Sequence, residues 1–503
     1  MSLATVYSRA NIGVEAPLVS VETHLSNGLP AFSIVGLPET AVRESKERVR
    51  SAILNSVLEF PAKRITVNLA PADLPKAGGR FDLAIAVGIL VASGQLPENS
   101  ITNIEFMGEL ALSGGLRVIP GVIPGLIASR EAQRQSIIPA ANADEAGLVG
   151  GGDIRLCKHL LELCQHLSGK NDLCLVKKAA SVKPAYTETL DDVIGQEQAQ
   201  RALILATAGG HNLLMSGPPD TGKTMLANRL STLLPELDEK AALEVAAVHS
   251  IAKIDTEVKA SFSAPFRAPH HTTSAIALVG GGKDISPSEI SLAHNGVLFL
   301  DELPEFSPRV LEALREPIEK GSILISRAAY QARLPARFQL IAAMNPCPCG
   351  YYGDPEHECS CSLERIKKYQ QRISGPLLDR IDLQIVLGRL SEAEQEKLLL
   401  KKPDDTRSAS IKNQIERCRQ RQLHRAGKIN TQLNQREILS YCQLRDKDAT
   451  LLNKAMQQLK FSTRAYFRIL KVARTIADFA GEDQICRQHL LEAMTYRQMD
   501  RQF

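Results

Sequence analysis

The spacing of apolar positions changes along the chain, and each change marks a different kind of structure. Over residues 1–170, short β-branched runs alternate with stretches of helical period. Residues 65–69 (ITVNL) place an apolar side chain at every second position and read as a strand. Residues 45–56 repeat apolar residues at helical spacing and read as an amphipathic helix. Gly-rich turns at 76–79, 113–115 and 150–152 punctuate the alternation. Residues 177–189 (KKAASVKPAYTET) are polar, hold a proline and lack periodicity, which predicts a linker.

A second unit begins at Asp191. A helical stretch (196–208), an apolar run (212–216), a Gly-rich loop and another helical stretch (223–234) are followed by the buried runs 296–300 and 338–343. Helices alternating with buried apolar strands predict a parallel α/β sheet. After Arg389 no strand-like run remains, and a 3.6-residue period, as in residues 465–479, predicts an all-helical end domain. The expected organisation is an α/β domain over 1–175, a linker over 176–190, a parallel-sheet core over 191–388 and a helical domain over 389–503.

Composition narrows the function classes. With 503 residues the chain exceeds one compact core. The absence of Trp and an aromatic content of 4% argue against reading bases with rows of stacked aromatics. Net charge is +4, but residues 391–503 hold 22 Lys/Arg against 14 Asp/Glu, leaving the remainder acidic. A basic helical end suits a polyanion, although a solvated helical surface has the same composition. Residues 1–12 carry no apolar core of a secretory signal, and the apolar run 83–92, broken by Gly88, is too short to span a bilayer. The expectation is a cytoplasmic protein with no membrane partner, in which ten cysteines stay reduced.

The sharpest chemical signal is Gly217-Pro218-Pro219-Asp220-Thr221-Gly222-Lys223-Thr224, which fits G-x-x-x-x-G-K-[ST] between a predicted strand and helix. In that context backbone N–H groups and the helix N-terminus cradle the phosphates of ATP. Lys223 would reach the β/γ oxygens, and Thr224 would ligate Mg²⁺. The apolar run 297–300 (VLFL) ends in Asp301 and Glu302, at the strand edge where open α/β sheets bind ligands. Asp301 would hold the Mg²⁺ and Glu302 would act as general base on water. Asn345, after the next strand, would orient that water.

Cys347, Cys349, Cys359 and Cys361 form two C-x-C pairs in a loop of Gly, Pro and Asp. Four thiolates so spaced can surround one structural Zn²⁺, with His357 a spare ligand; free thiols or a redox switch are the other readings. His270 and His271 are adjacent, and on a strand would face opposite ways, so both are expected to be structural.

Together these residues resemble the AAA+ ATPases of the magnesium-chelatase-like group, specifically the ComM/YifB family. The likeness extends through residues 266–271 (FRAPHH), 280–282 (GGG), 290–306, 344–350 and 374–382 (SGPLLDRID), and covers essentially the whole chain. It implies a homo-hexameric motor acting on single-stranded and branched DNA, promoting branch migration when incoming DNA is recombined during natural transformation, with recombination proteins as possible partners. An ATP-driven remodeller of a protein or chelatase-type complex is the other function it implies. It makes Arg380 an arginine finger for the neighbouring subunit and Arg464 the sensor-2 residue of the helical lid. Val193 and Ile194 would pack on adenine, or simply against the following helix. Residues 261–290 resemble an insertion toward the ring pore, and residues 322–325 and 333–338 could flank a hairpin. Arg327 and Arg333 on it would face DNA phosphates, or only solvent. Family members usually have Gly where Asp220 stands.

Residues 75–82 (PKAGGRFD), 107–112 and 114–118 resemble the proteolytic domain of Lon. Arg80 stands where the nucleophilic Ser would be, and residues 118–128 offer no Lys base, so the domain is expected to be non-proteolytic. Lys63, Arg64, Lys76 and Arg80 could help it hold DNA, or the domain could serve assembly.

Overall fold

A computed structural model of the chain describes residues 2–36, 42, 44–76, 78–179, 189–193, 195–252, 262–281, 286–326, 331–389, 405–459 and 461–497. Most of the predicted linker, Ile194 and Arg327 lie outside these residues.

The N-terminal strands are β1 (Ser2–Arg9), β2 (Leu18–Ser26), β3 (Ala31–Val35), β4 (Arg64–Ala70), β5 (Ile104–Phe106), β6 (Glu109–Leu110), β7 (Leu116–Arg117), β8 (Gln135–Pro139), β9 (Ile154–Cys157) and β10 (Cys174–Leu175). Eight form one mixed sheet in the order β10-β9-β8-β5-β1-β2-β4-β3, while β6 and β7 make a separate ribbon. In β2, Val19, Val21, Thr23 and Leu25 are buried and alternate with less buried neighbours, the period-2 pattern of a strand covered on one face. The cover is the helix Asp82–Ala92, every residue of which is buried.

Arg80 lies beneath that helix. Its guanidinium donates to Asn11 Oδ1 at 2.5 Å and to the Pro120 carbonyl at 2.6 Å. Burial pulls its pKa down to about 10. Lys76 is wholly covered. Neither residue faces solvent, which corrects the expectation that they hold DNA; Lys63 and Arg64 are exposed.

The second sheet holds β11 (Leu213–Ser216), β12 (Phe266–Arg267), β13 (Gly296–Leu300), β16 (Phe338–Met344) and β17 (Leu383–Val386), with β14 (Ser322–Ser326) and β15 (Gln331–Pro335) paired as a separate hairpin. Its order is β12-β13-β16-β11-β17 and every pairing is parallel. Strand β11 therefore lies between later strands, at a switch point where the crevice for a ligand opens beyond the strand ends.

The C-terminal region runs through helices Asp405–Ala426, Gln435–Tyr441, Asp446–Gln458, Thr463–Ala480 and Arg487–Thr495. It is helical as expected, yet it does not keep a core of its own. Ile415, Ile469, Ala473 and Leu490 share one apolar cluster with Leu203, Met215, Ile341 and Ile385 of the parallel-sheet unit. Polar ties reinforce the joint: Asp382, before β17, takes the Arg468 guanidinium at 2.5 Å and the Asn212 N–H at 3.1 Å. Burial alone would push the Asp382 carboxyl up, but Arg468 and His211 hold it well below the usual range.

The N-terminal unit is also fastened to the parallel-sheet unit. Leu243, Ala246 and Ala247 of helix Glu239–Ile251 pack with Met107, Val122, Ile123 and Leu126. The Gly121 N–H donates to the Ser250 carbonyl at 2.9 Å.

Candidate nucleotide and metal sites

The phosphate loop leaves β11 at Gly217, whose N–H donates to the Met344 carbonyl of neighbouring β16 at 3.2 Å. Asp220 and Gly222 take left-handed backbone angles, φ +63° and +81°, which turn the loop into helix Lys223–Leu233. Asp is among the side chains that tolerate that region best, and its carboxylate is exposed. The Thr221 hydroxyl donates to the Pro218 carbonyl at 2.9 Å, and Lys223 Nζ donates to the Gly217 and Pro218 carbonyls at 2.7 and 2.6 Å. Burial lowers the Lys223 pKa, while Asp301 and Asp220 oppose the shift.

Across the strand tips, Thr224 Oγ1 donates to Asp301 Oδ2 at 2.7 Å. A hydroxyl and a carboxylate in contact beside a phosphate cradle are hard oxygen donors, and the pair fits a Mg²⁺ ion. The other Asp301 oxygen accepts the Glu302 N–H at 2.9 Å. Glu302 is exposed with φ +52°, a strained angle that throws its carboxylate out from the tip of β13. Asn345 follows β16, which lies between β13 and β11, so it stands between the two halves of the site.

Three further expected residues are placed as follows. Arg380 is 7% exposed, pairs with Glu319 of the same chain at 2.6 Å and donates to the Pro376 carbonyl at 2.6 Å. In the single chain its guanidinium is thus engaged in cis. Val193 is buried in the shared core, covered by protein. Arg464 is exposed in the first turn of helix Thr463–Ala480, and Arg468, one turn on, makes the contact to Asp382 just before β17.

Strands β14 and β15 pair antiparallel, with Leu324 opposite Arg333. Arg333 is exposed on β15.

The cysteine loop leaves β16 directly. Sulfur separations are 3.3 Å for Cys347–Cys349, 3.7 Å for Cys347–Cys359 and 3.5 Å for Cys349–Cys359, and all four sulfurs lie within 4.8 Å of one another. Thiolates about 2.3 Å from one zinc ion stand about 3.8 Å apart, so the cluster fits Zn²⁺. Desolvation pushes the Cys349 thiol up, but the Tyr351 N–H and the neighbouring thiols outweigh it and bring Cys349 down to about 5. His357 instead stacks on Tyr351, 5.0 Å between centroids, and is not part of the cluster. The loop touches the phosphate loop: a Cβ on Gly350 (φ +89°) would lie 2.7 Å from Pro219 Cδ. Asp354 closes the far side by taking the Arg389 guanidinium at 2.9 Å.

One neighbour of the catalytic edge was not foreseen. His271 Nδ1 lies 3.1 Å from Glu302 Oε2. Strand β12 ends at Arg267, so His270 and His271 are not on a strand; their rings lie 4.1 Å apart, tilted by 34°, instead of facing opposite ways. The signal was available in FRAPHH, because a segment running parallel to the acidic strand ends where that strand ends.

The sheet order, the phosphate loop at its switch point and the acidic pair on β13 define an ATPase of the AAA+ class. Residues 189–395 match the family described as magnesium chelatase, subunit ChlI; residues 21–142 match subunit ChlI of Mg-chelatase, and residues 405–497 its C-terminal part. The chain is 52% identical to the competence protein ComM of Haemophilus influenzae over 508 residues, covering 100% of this chain and 98% of the relative. It is 49% identical to the uncharacterized protein YifB of Escherichia coli, again over 100% and 98%. A DNA replication licensing factor, mcm6 of Dictyostelium discoideum, matches 42% of this chain and 23% of its own length at 26% identity. The chain belongs to the ComM/YifB family of magnesium-chelatase-like AAA+ ATPases.

Proposed function

We propose that the chain is an ATP-driven motor on branched DNA, working as a homo-hexamer in the recombination of incoming DNA during natural transformation. The contact between Thr224 and Asp301, beside Lys223 and with Glu302 next in the chain, carries the ATPase part of this reading. Lys223 leaves its loop carbonyls for the β/γ oxygens of ATP. Thr224 and Asp301 would hold Mg²⁺, which would supply charge neutralisation at the phosphates. Glu302 accepts a proton from a water that Asn345 orients. The water oxygen bonds to the γ-phosphorus as its bond to the β,γ-bridging oxygen breaks, leaving ADP and phosphate. Arg380 completes the neighbouring subunit's site after giving up Glu319, and Arg464 reads the nucleotide from the helical side.

The DNA part is supported by the competence protein and the replication licensing factor among the relatives, by exposed Arg333 on the hairpin, and by the basic helical end. The cluster of Cys347, Cys349, Cys359 and Cys361 would hold a structural Zn²⁺. The chelatase descriptions favour a second reading, a remodeller of a protein complex. ATP turnover with and without a DNA junction separates the two. The motor reading expects DNA to raise turnover, and expects Glu302→Gln to bind ATP while losing about 100-fold or more in rate. Turnover indifferent to DNA contradicts it.

A further inference from the structure

We propose that the four-cysteine loop forms a wall of the nucleotide site, so that metal on its sulfurs and ATP on the phosphate loop strengthen each other's binding, with Gly350 as the positioning residue between them. This rests on the reading of the cluster as a zinc site and of residues 217–224 as the ATP site.

The connection begins in the chain. Strand β16 ends at Met344, Asn345 stands at the catalytic edge, and Cys347 follows two residues later, fully buried. The Gly350 N–H closes a turn on the Cys347 carbonyl at 3.0 Å. Gly350 takes φ +89°, and a Cβ there would lie 2.7 Å from Pro219 Cδ and 2.8 Å from its Cγ. Those separations leave no room for a side chain, so the two loops meet at this point with nothing between them. The phosphate loop has little space in which to yield. A Cβ on Gly217 would lie 2.7 Å from the Leu387 carbonyl oxygen, and the Leu387 N–H donates to the Ser216 carbonyl at 2.7 Å. Close-packed groups pass a displacement on instead of absorbing it.

The shape of the cysteine loop depends on its sulfurs. Among the described residues 345–362 only Cys347 and Gly350 are buried, and none belongs to a helix or strand. Asp354 anchors the part beyond Gly350, taking the Glu356 N–H at 2.9 Å and the Arg389 guanidinium at 2.9 Å. Between that anchor and β16 the chain from Cys347 to Gly350 has no apolar core to order it, so a shared ion sets its course. With the sulfurs gathered, Gly350 stays against Pro219, and the N–H groups after Pro219 keep the curve that receives phosphate. With the sulfurs released, that support is lost. Coupled binding free energies are reciprocal, so ATP that seats the phosphate loop tightens the metal by the same factor.

The test uses the full chain, a non-hydrolysable fluorescent ATP analogue with Mg²⁺, and zinc. Zinc affinity, read by competition with a chromogenic chelator, is expected to rise about five-fold when the analogue is saturating, and analogue affinity to fall about five-fold once zinc is stripped. Gly350→Ala and Gly353→Ala separate the contact from backbone strain. Both glycines have positive φ, +89° and +80°, but a Cβ on Gly353 would meet nothing within 4 Å. Gly350→Ala is expected to keep its zinc and bind the analogue about five-fold more weakly, while Gly353→Ala keeps both its zinc and the wild-type affinity. A zinc affinity unmoved by the analogue, or equal analogue affinities in the two glycine variants, overturns the proposal. Should the purified chain hold no zinc, the metal reading falls by that result alone, while the two glycine variants still decide whether the loop walls the nucleotide site.

Discussion

Asp220 occupies the middle of the phosphate loop with φ +63°, a conformation that glycine adopts freely and Asp tolerates. Its cost is therefore electrostatic more than steric. A carboxylate about 5 Å from a phosphate charge opposes binding by roughly 1 to 3 kcal/mol between bulk-water and surface dielectrics, and its exposure favours the lower figure. Asp220→Gly is accordingly expected to tighten ATP binding about five-fold at low salt, measured by titration with a fluorescent ATP analogue, with the gain shrinking as salt is added. At this scale the legible residues were those whose chemistry is fixed by a motif. Thr224 and Asp301 are far apart in sequence and meet in the structure because strand order brings β11 and β13 to either side of β16. His271 and Arg380 were less legible, since a side chain's partner depends on where its segment stops being a strand or turns inward. Composition and spacing report neither.

Among elements, the cysteine loop holds the most consequence for the nucleotide site. It joins the end of β16, where Asn345 stands, to Pro219 of the phosphate loop through Gly350 and to Arg389 through Asp354. Few apolar residues order it, so its shape depends on what binds the four sulfurs. Protein purified without chelators is expected to carry one zinc ion per chain by elemental analysis. Cys359→Ser should lose the ion and lower the melting temperature by about 5 °C. No metal, with unchanged melting, contradicts the assignment. The C-x-C pairs made this loop readable in sequence; its contact with Pro219 was not, because Gly350 acts by lacking a side chain. The hairpin was read with its second arm late: it spans Gln331–Pro335, and the residues from Phe338 on belong to the central sheet.

At the scale of the whole molecule, the parallel sheet and the helical end were evident from the change of period, but their union was not. Alternation and helical spacing report which face of an element is apolar, without saying which other element covers it. The structure gives the helices and the sheet one core, with Asp382 and Arg468 as the polar tie, so changes at β17 reach the helix carrying Arg464 without a loose hinge. The N-terminal unit is fastened in the same manner, and Arg80 is engaged in internal hydrogen bonds. The most direct test of the motor is migration of a mobile four-way DNA junction by the purified chain with Mg²⁺ and ATP, followed by gel. The account predicts junction movement by the wild type that stops when ATP is replaced by a non-hydrolysable analogue and is absent in Glu302→Gln. Movement without hydrolysis, or ATP turnover with a junction that stays in place, contradicts it.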